Sequence, residues 1–151
     1  MLAKLEQLLS EIAGLHHQLI LVVGPPHSGK TSLLRRLGAT LQRPPLNVSL
    51  ELGRRLATMP LKARGLAAGD LLRDLAAQAP AGAPLLLDNL ELLFEPSLHI
   101  NPLDLIRQLA HARRVVAVWP GEVLGERMLY ADLSHPEHRD YSREGLVLFE
   151  L

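Results

Sequence analysis

The most chemically distinctive segment of the chain is an eight-residue loop, Gly24-Pro-Pro-His-Ser-Gly-Lys-Thr31, which matches the pattern G-x-x-x-x-G-K-[ST] in full. Glycine permits backbone conformations and a close approach to a ligand that a β-carbon would block. Successive backbone N–H groups in such a loop surround a phosphate at the positive end of the following helix. The pattern predicts that the phosphates of a nucleotide are bound by Gly24, Pro25, Pro26, His27, Ser28, Gly29, Lys30, Thr31 and Ser32.

A magnesium site is predicted beside this loop. Lys30 would reach the β- and γ-phosphates, and the Thr31 hydroxyl would ligate Mg²⁺. Downstream, Leu85-Leu-Leu-Asp88 is an apolar, strand-like run that ends in an acid. An aspartate at the end of such a strand holds magnesium in many nucleotide-binding proteins, usually through water. We therefore expect Thr31 and Asp88 to be the metal residues and ATP with Mg²⁺ to be the cofactors; no N-K-x-D motif for guanine is present.

Hydrolysis of the bound nucleotide needs a group that orients and deprotonates water. Many additional-strand ATPases carry a glutamate directly after the magnesium aspartate, but this chain has Asn89, whose amide is not a base. Two carboxylates could replace it: Glu51, expected at the end of the second strand, and Glu91, three residues past Asp88. The sequence ranks the two equally, and each could also be an ordinary surface acid.

Two arginines precede the last predicted strand, where AAA+ proteins carry an arginine finger that acts across a subunit interface. Such a finger raises phosphoryl-transfer rates by several orders of magnitude. Arg139 and Arg143 are the candidates, and their use would require a homo-oligomer; the alternative is two solvated loop arginines. The fourth strand, where a polar sensor residue is usual, is followed by Trp119, which indicates a displaced sensor or slow hydrolysis.

Apolar runs that alternate with helical stretches would position these residues. Strands are predicted at 19–23, 46–52, 85–88, 115–118 and 146–151. Helices are predicted at 2–15, 30–41, 53–78 (interrupted at Pro60 and around Gly65 and Gly69) and 102–112, with 121–143 polar and irregular. Strands alternating with helices favour an α/β fold with a parallel sheet covered on both faces. We expect one domain, 1–151: a three-layer P-loop NTPase sandwich of the additional-strand (ASCE) type, with five mostly parallel strands and no C-terminal helical lid.

Composition limits the location and partners of the chain. Hydrophobic residues make up 48% and charged residues 21%, the formal net charge is zero, and cysteine is absent. There is thus no disulfide framework or thiolate zinc site. No apolar stretch suits a signal peptide or a membrane span, so we expect a soluble, cytoplasmic protein without membrane contact. Bulk charge does not indicate DNA binding, although a local basic patch would permit it.

Several further patterns have ordinary explanations. His135-Pro-Glu-His138 has metal-like spacing, but proline breaks the helix that would align the rings, and no third ligand is evident. His16-His17 suits the end of the first helix, where imidazolium complements the helix dipole. The pairs Arg35-Arg36, Arg54-Arg55 and Arg113-Arg114 suit solvated helix faces better than a nucleic-acid track, because no aromatic residues interleave with them.

Four segments resemble one protein family. They are GPPHSGKT, LLLDNLELLF, VVAVWPG and YADLSHPEHRDY, and together with the short length they are similar to BrxF, the family of small P-loop proteins of type 3 BREX phage-defence systems. The resemblance implies a role in bacterial or archaeal antiviral defence beside other BREX components: a larger ATPase, a DNA methyltransferase and a phosphatase-like protein. The resemblance also implies functional roles for five residues: Gly24, Gly29, Lys30, Thr31 and Asp88.

Two other functional classes fit the sequence. The first is a non-hydrolysing switch, in which ATP binding alone drives assembly or docking of a partner. The second is a small nucleotide or metabolite kinase, because 121–143 contains arginines that would suit a mobile lid. The acid on the third strand argues against a kinase, since kinases commonly carry it elsewhere.

Overall fold

The computed structural model describes residues 1–130, 139–142 and 145–151. Its helices are α1 Leu2–Glu11, α2 Lys30–Thr40, α3 Val48–Leu56, α4 Leu61–Ala77 and α5 Pro102–Ala112. Its strands are β1 Leu19–Val23, β2 Leu46–Asn47, β3 Leu85–Asp88, β4 Val115–Val118, β5 Glu122–Leu124, β6 Arg127–Tyr130, β7 Arg139–Ser142 and β8 Val147–Glu150. Short 3₁₀ turns occur at Ile12–Gly14, Glu91–Phe94 and Pro96–Leu98. Within these ranges, none of the helices combines the length and the apolar character that crossing a membrane requires.

Five strands form a parallel sheet in the order β2-β3-β4-β1-β8. The predicted five-stranded parallel sheet is therefore confirmed. β4 lies between β1 and β3, so the carboxyl ends of these three strands are neighbours at one edge. That edge brings together the loop after β1, Asp88 at the end of β3 and Trp119 after β4.

Helices cover both faces of this sheet. Along β1, Leu19, Leu21 and Val23 pack in one buried cluster with side chains of α3, α4 and α5. Ile20 and Val22 point to the opposite face and pack with α1 and α2. Burying a large aliphatic side chain stabilises the fold by about 1.5–3 kcal/mol. The strands are therefore fixed from both sides, and their carboxyl ends are a rigid base for a site.

The predicted second strand, 46–52, is wrong beyond its second residue. β2 ends at Asn47, whose side chain accepts a hydrogen bond from the Leu50 N–H at 3.1 Å and caps α3. Val48, Leu52 and Leu56 are buried at four-residue spacing on one face of that helix. The Asn47 cap and the helical spacing of the buried residues therefore favour a helix in this segment, although its apolar residues also alternate as in a strand.

The predicted interruptions of the next helical stretch are partly wrong. Pro60 separates α3 from α4, as expected, but α4 continues through both Gly65 and Gly69. A β-carbon on Gly65 would lie 2.9 Å from the Leu98 carbonyl oxygen. Glycine at this position therefore permits a close contact between α4 and a neighbouring turn, and it does not break the helix.

The segment predicted to be irregular, 121–143, forms a small antiparallel sheet in its described part. β6 pairs with β5 on one side and with β7 on the other. Trp119 anchors this sheet, because its buried indole donates a hydrogen bond to the Leu129 carbonyl at 3.3 Å and contacts the Tyr141 ring edge-on at 5.6 Å. A β-carbon on Gly121 would lie 1.6 Å from the same carbonyl oxygen, so only glycine fits there.

Candidate functional site

The loop from Gly24 to Thr31 connects β1 to α2 and leaves the start of that helix open. Gly29 has φ 94° and ψ 19°, a left-handed conformation that favours glycine. It caps α2 without any side-chain acceptor. The N–H groups of Lys30, Thr31 and Ser32 therefore have no intrahelical acceptor, at the positive end of the helix dipole. This geometry suits an anion.

The interior of the loop is tight and contains an unsatisfied polar atom. A β-carbon on Gly24 would lie 2.7 Å from the Ser28 hydroxyl oxygen and 3.2 Å from the Leu151 β-carbon. The Ser28 hydroxyl is buried and has no hydrogen-bond partner among the described residues. A buried hydroxyl without a partner costs about 1–3 kcal/mol, so a bound phosphate oxygen that accepted a hydrogen bond from the Ser28 hydroxyl would recover that cost.

Lys30 connects the loop to the neighbouring strand. Its ammonium group donates hydrogen bonds to the Gly24 carbonyl at 2.9 Å and to the Trp119 carbonyl at 3.2 Å. Burial lowers the pKa of Lys30, while the carboxylates of Glu91, Asp88 and Glu122 act in the opposite direction and raise it. Carboxylates from three different segments of the chain thus act on the charge of Lys30.

The two predicted metal residues are in contact. Asp88 is 6% exposed, and its Oδ1 accepts a hydrogen bond from the Thr31 hydroxyl at 3.3 Å. The same oxygen accepts the Asn89 backbone N–H at 2.8 Å. Carboxylate and hydroxyl oxygens are hard ligands of the kind that Mg²⁺ prefers. The pair therefore has the chemistry and the proximity that a magnesium site needs.

A further contact fixes the chain just after Asp88. Asn89 adopts a left-handed conformation with φ 54°, and its carbonyl accepts the Ser49 hydroxyl at 2.5 Å and the Ser49 N–H at 2.9 Å. The Ser49 hydroxyl oxygen in turn accepts the Leu92 N–H at 3.1 Å. The start of α3 therefore positions the 3₁₀ turn that carries Glu91. Sequence patterns gave no sign of Ser49, because its partners lie some 40 residues away.

The two candidate bases have different surroundings. Glu91 is an exposed residue at the start of that 3₁₀ turn, and its charge acts on Lys30. Glu51 lies in the first turn of α3 instead of at a strand end, so its predicted position is wrong. Its carboxylate pairs with Arg54 at 3.2 Å and with Arg55 at 3.4 Å.

Glu122 is a neighbour of Lys30 that the sequence did not reveal. It begins β5 and lines a groove of about 380 Å³ together with Gly24, Pro25 and Leu151. It belongs to the segment that was predicted to be irregular, and no motif marks it. The small antiparallel sheet thus extends one acidic side chain toward the loop.

Several other predicted residues lie outside the described part of the chain or away from the loop. Arg139 is the first residue of β7, but its side chain, Arg143, and the His135 and His138 pair lie outside the described residues. The Trp119 side chain is fully buried, so only its backbone carbonyl faces Lys30. Where a polar sensor was expected, the structure has a core residue.

Comparisons with known proteins returned no significant match to any family model, any curated protein or any solved structure. The resemblance to the BrxF family therefore stays a prediction from sequence segments.

Proposed function

We propose that this chain is a P-loop NTPase of the additional-strand type, which binds ATP with Mg²⁺ and hydrolyses it slowly. The observation that carries the proposal is the contact between Thr31 and Asp88 at 3.3 Å, beside a loop that leads into an open helix N-terminus. The sheet order supports it, since β4 is an additional strand between β1 and β3.

Each group has a defined task in this proposal. The backbone N–H groups of the loop and the Lys30 ammonium hold the β- and γ-phosphates. Thr31 and Asp88 hold Mg²⁺, which neutralises charge on the phosphate oxygens when it is bound. Glu91 accepts a proton from the attacking water. The new bond joins the water oxygen to the γ-phosphorus, and the bond to the bridging oxygen breaks, which gives ADP and inorganic phosphate.

The carboxylates whose charges act on Lys30 favour binding of ATP together with magnesium over binding of ATP alone. Lys30 contributes one positive charge, and Asp88, Glu91 and Glu122 contribute three negative charges around it. A triphosphate carries several more negative charges and would be repelled by this excess. We therefore expect ATP to bind with Mg²⁺ and to bind at least about tenfold more weakly in EDTA, a difference of about 1.4 kcal/mol.

Calorimetric titration with ATP tests the binding step. Lys30→Ala should abolish binding, while Lys62→Ala, which removes an exposed lysine of α4, should leave it unchanged. Equal affinity of Lys30→Ala and the wild type would overturn the proposal. Phosphate release should then exceed that of the Lys30→Ala control, and the two assays together separate binding from hydrolysis.

A second candidate function is an ATP-dependent switch that does not hydrolyse. Two observations favour it: Asn89 stands where a catalytic glutamate is usual, and the Trp119 side chain is buried where a polar sensor is usual. Light scattering with and without ATP and Mg²⁺, run beside the phosphate assay, distinguishes the two. Nucleotide-dependent assembly with no turnover above Lys30→Ala would favour the switch.

The proposed biological setting is antiviral defence, in an oligomer that works with other BREX components. It rests on the sequence resemblance alone. In a type 3 BREX system that lacks its own BrxF, this chain should restore resistance to phage, and its Lys30→Ala variant should not. A chain that expresses and folds but gives no resistance would remove the defence role, while the ATP proposal would stand.

A further inference from the structure

Three histidines lie close together at the amino-terminal end of β1, opposite the strand end that carries the phosphate loop. His16 and His17 lie between the 3₁₀ turn Ile12–Gly14 and the start of β1, and His111 lies in the last turn of α5. The ring centroids are 4.6 Å apart for His16 and His17, 4.8 Å for His16 and His111, and 4.7 Å for His17 and His111. One potential ligand nitrogen from each ring lies within 4.8 Å of the others.

We propose that His16, His17 and His111 form a binding site for a divalent transition-metal ion, with Zn²⁺ as its reference ligand. Zinc binds imidazole nitrogen at about 2.0–2.1 Å in tetrahedral geometry, which places the ligand nitrogens about 3.4 Å apart. The ligand nitrogens therefore need to approach one another by at most about 1.4 Å, which side-chain rotation supplies. Imidazole nitrogen is a good ligand for Zn²⁺, Cu²⁺ and Ni²⁺.

Simple core packing does not account for the cluster. His16 and His111 are exposed, and only His17 is half-buried, so the three rings are not sequestered from water as core residues are. Arg107 lies one helical turn before His111 on α5, so its charge is near the cluster. The Arg107 charge would oppose a cation, but Asp104 pairs with it at 3.8 Å and offsets that effect.

Backbone contacts hold the three histidines in place before any ion binds. The Gln18 N–H, next to His17, donates to the Ala110 carbonyl, next to His111, at 3.0 Å. The Val115 N–H donates to the Gln18 carbonyl at 2.8 Å. These bonds fix the start of β1 against the end of α5, so binding requires little ordering of the chain.

The ion would connect two layers of the sandwich. The turn that precedes His16 follows α1 on one face of the sheet, while His111 belongs to α5 on the other face. Among the residues that the structure describes, no carboxylate completes the group. We assign the fourth position to water, as in zinc sites with three protein ligands.

Calorimetric titration of the full chain with Zn²⁺ tests the site. The wild type should bind one ion per chain. The variants His16→Gln and His111→Gln, which change exposed residues, should each weaken binding at least about tenfold. Loss of a residue that only supports a metal ligand already lowers metal affinity by about that factor. The matched control is the double variant His135→Gln/His138→Gln, which removes the other closely spaced histidines and should leave binding unchanged.

Thermal unfolding supplies a second measurement that does not depend on activity. Zn²⁺ at 100 times its Kd should raise the Tm by about 5–10 °C for a domain of this size, and His111→Gln should lose that rise. Lys30→Ala should keep it, because the two sites lie at opposite ends of β1. Absence of Zn²⁺ binding in the wild type, or loss of binding in the control while His111→Gln retains it, would overturn the proposal.

Discussion

Replacing Glu91 with glutamine gives the sharpest test of how this site would hydrolyse ATP. The change keeps the size of the side chain and removes its ability to accept a proton. Glu91 is one of three carboxylates whose charge acts on Lys30, and it follows Asp88 by three residues. If it deprotonates the attacking water, Glu91→Gln should slow turnover and should not reduce affinity for ATP, because a negative charge beside the phosphates has been removed.

The size of the effect follows from the surroundings of Glu91. A positioned general base contributes about 10²–10⁴ in rate. The side chain is exposed and water remains around it, so we expect the lower end of that range. A loss of about 100-fold corresponds to about 2.7 kcal/mol of transition-state stabilisation. Effects much larger than this would indicate that a partner subunit covers the site during turnover.

The matched control is Glu51→Gln, which makes the same chemical change on α3. Glu51 pairs with Arg54 and Arg55, and surface pairs of this kind contribute about 0.3–0.5 kcal/mol each. We expect turnover to change by less than about twofold and stability to fall by less than about 1 kcal/mol. Single-turnover phosphate release at saturating ATP measures both variants on the same scale.

Two results would refute this assignment. One is a Glu91→Gln rate equal to that of the wild type, in a protein that hydrolyses above its Lys30→Ala control. The other is an equal loss in Glu51→Gln. A selective loss in Glu122→Gln would instead transfer the role to the carboxylate on β5, whose charge also acts on Lys30.

The remaining predictions concern stability and assembly. Gly121→Ala places a β-carbon 1.6 Å from a backbone oxygen and should lower the unfolding free energy by about 2–5 kcal/mol in urea denaturation. Gly14→Ala, with open space around it, should be nearly neutral, and equal urea midpoints for the two would contradict this account. Asn47→Ala removes the cap of α3 and should cost about 1 kcal/mol in the same assay. Turnover per subunit should rise with protein concentration, and Arg139→Ala or Arg143→Ala should remove that rise; unchanged turnover in both would exclude an arginine finger.

Elements with strong local signals were predictable from the sequence. β1 has the predicted bounds because five consecutive apolar residues bounded by glycine suit a strand buried on both faces. α5 also has its predicted bounds, since Asn101 accepts the Asp104 N–H at 3.2 Å and Pro102 occupies the first turn. In both cases the interactions that set the ends lie within a few residues of them.

The second strand was not predictable in the same way. Leu46, Val48, Leu50 and Leu52 alternate like a strand, while Val48 and Leu52 also have helical spacing. The helix prevails because Asn47 caps it and because its buried face packs against α4 and the turn after β3. Those packing partners are distant in the chain, and the alternation alone gives no information about them.

Phosphate binding and catalysis in this site also differ in how far apart in the sequence the required residues lie. Eight consecutive residues define the loop. Asp88 could be predicted as part of the same site because the carboxyl ends of parallel strands meet at one edge of the sheet. The environment of Lys30 is instead assembled from the ends of β3 and β4, the turn that carries Glu91, and the start of β5. None of these segments is adjacent to the loop in sequence. Substitutions in the connections after the strands can therefore alter the rate of hydrolysis while the loop continues to bind phosphate.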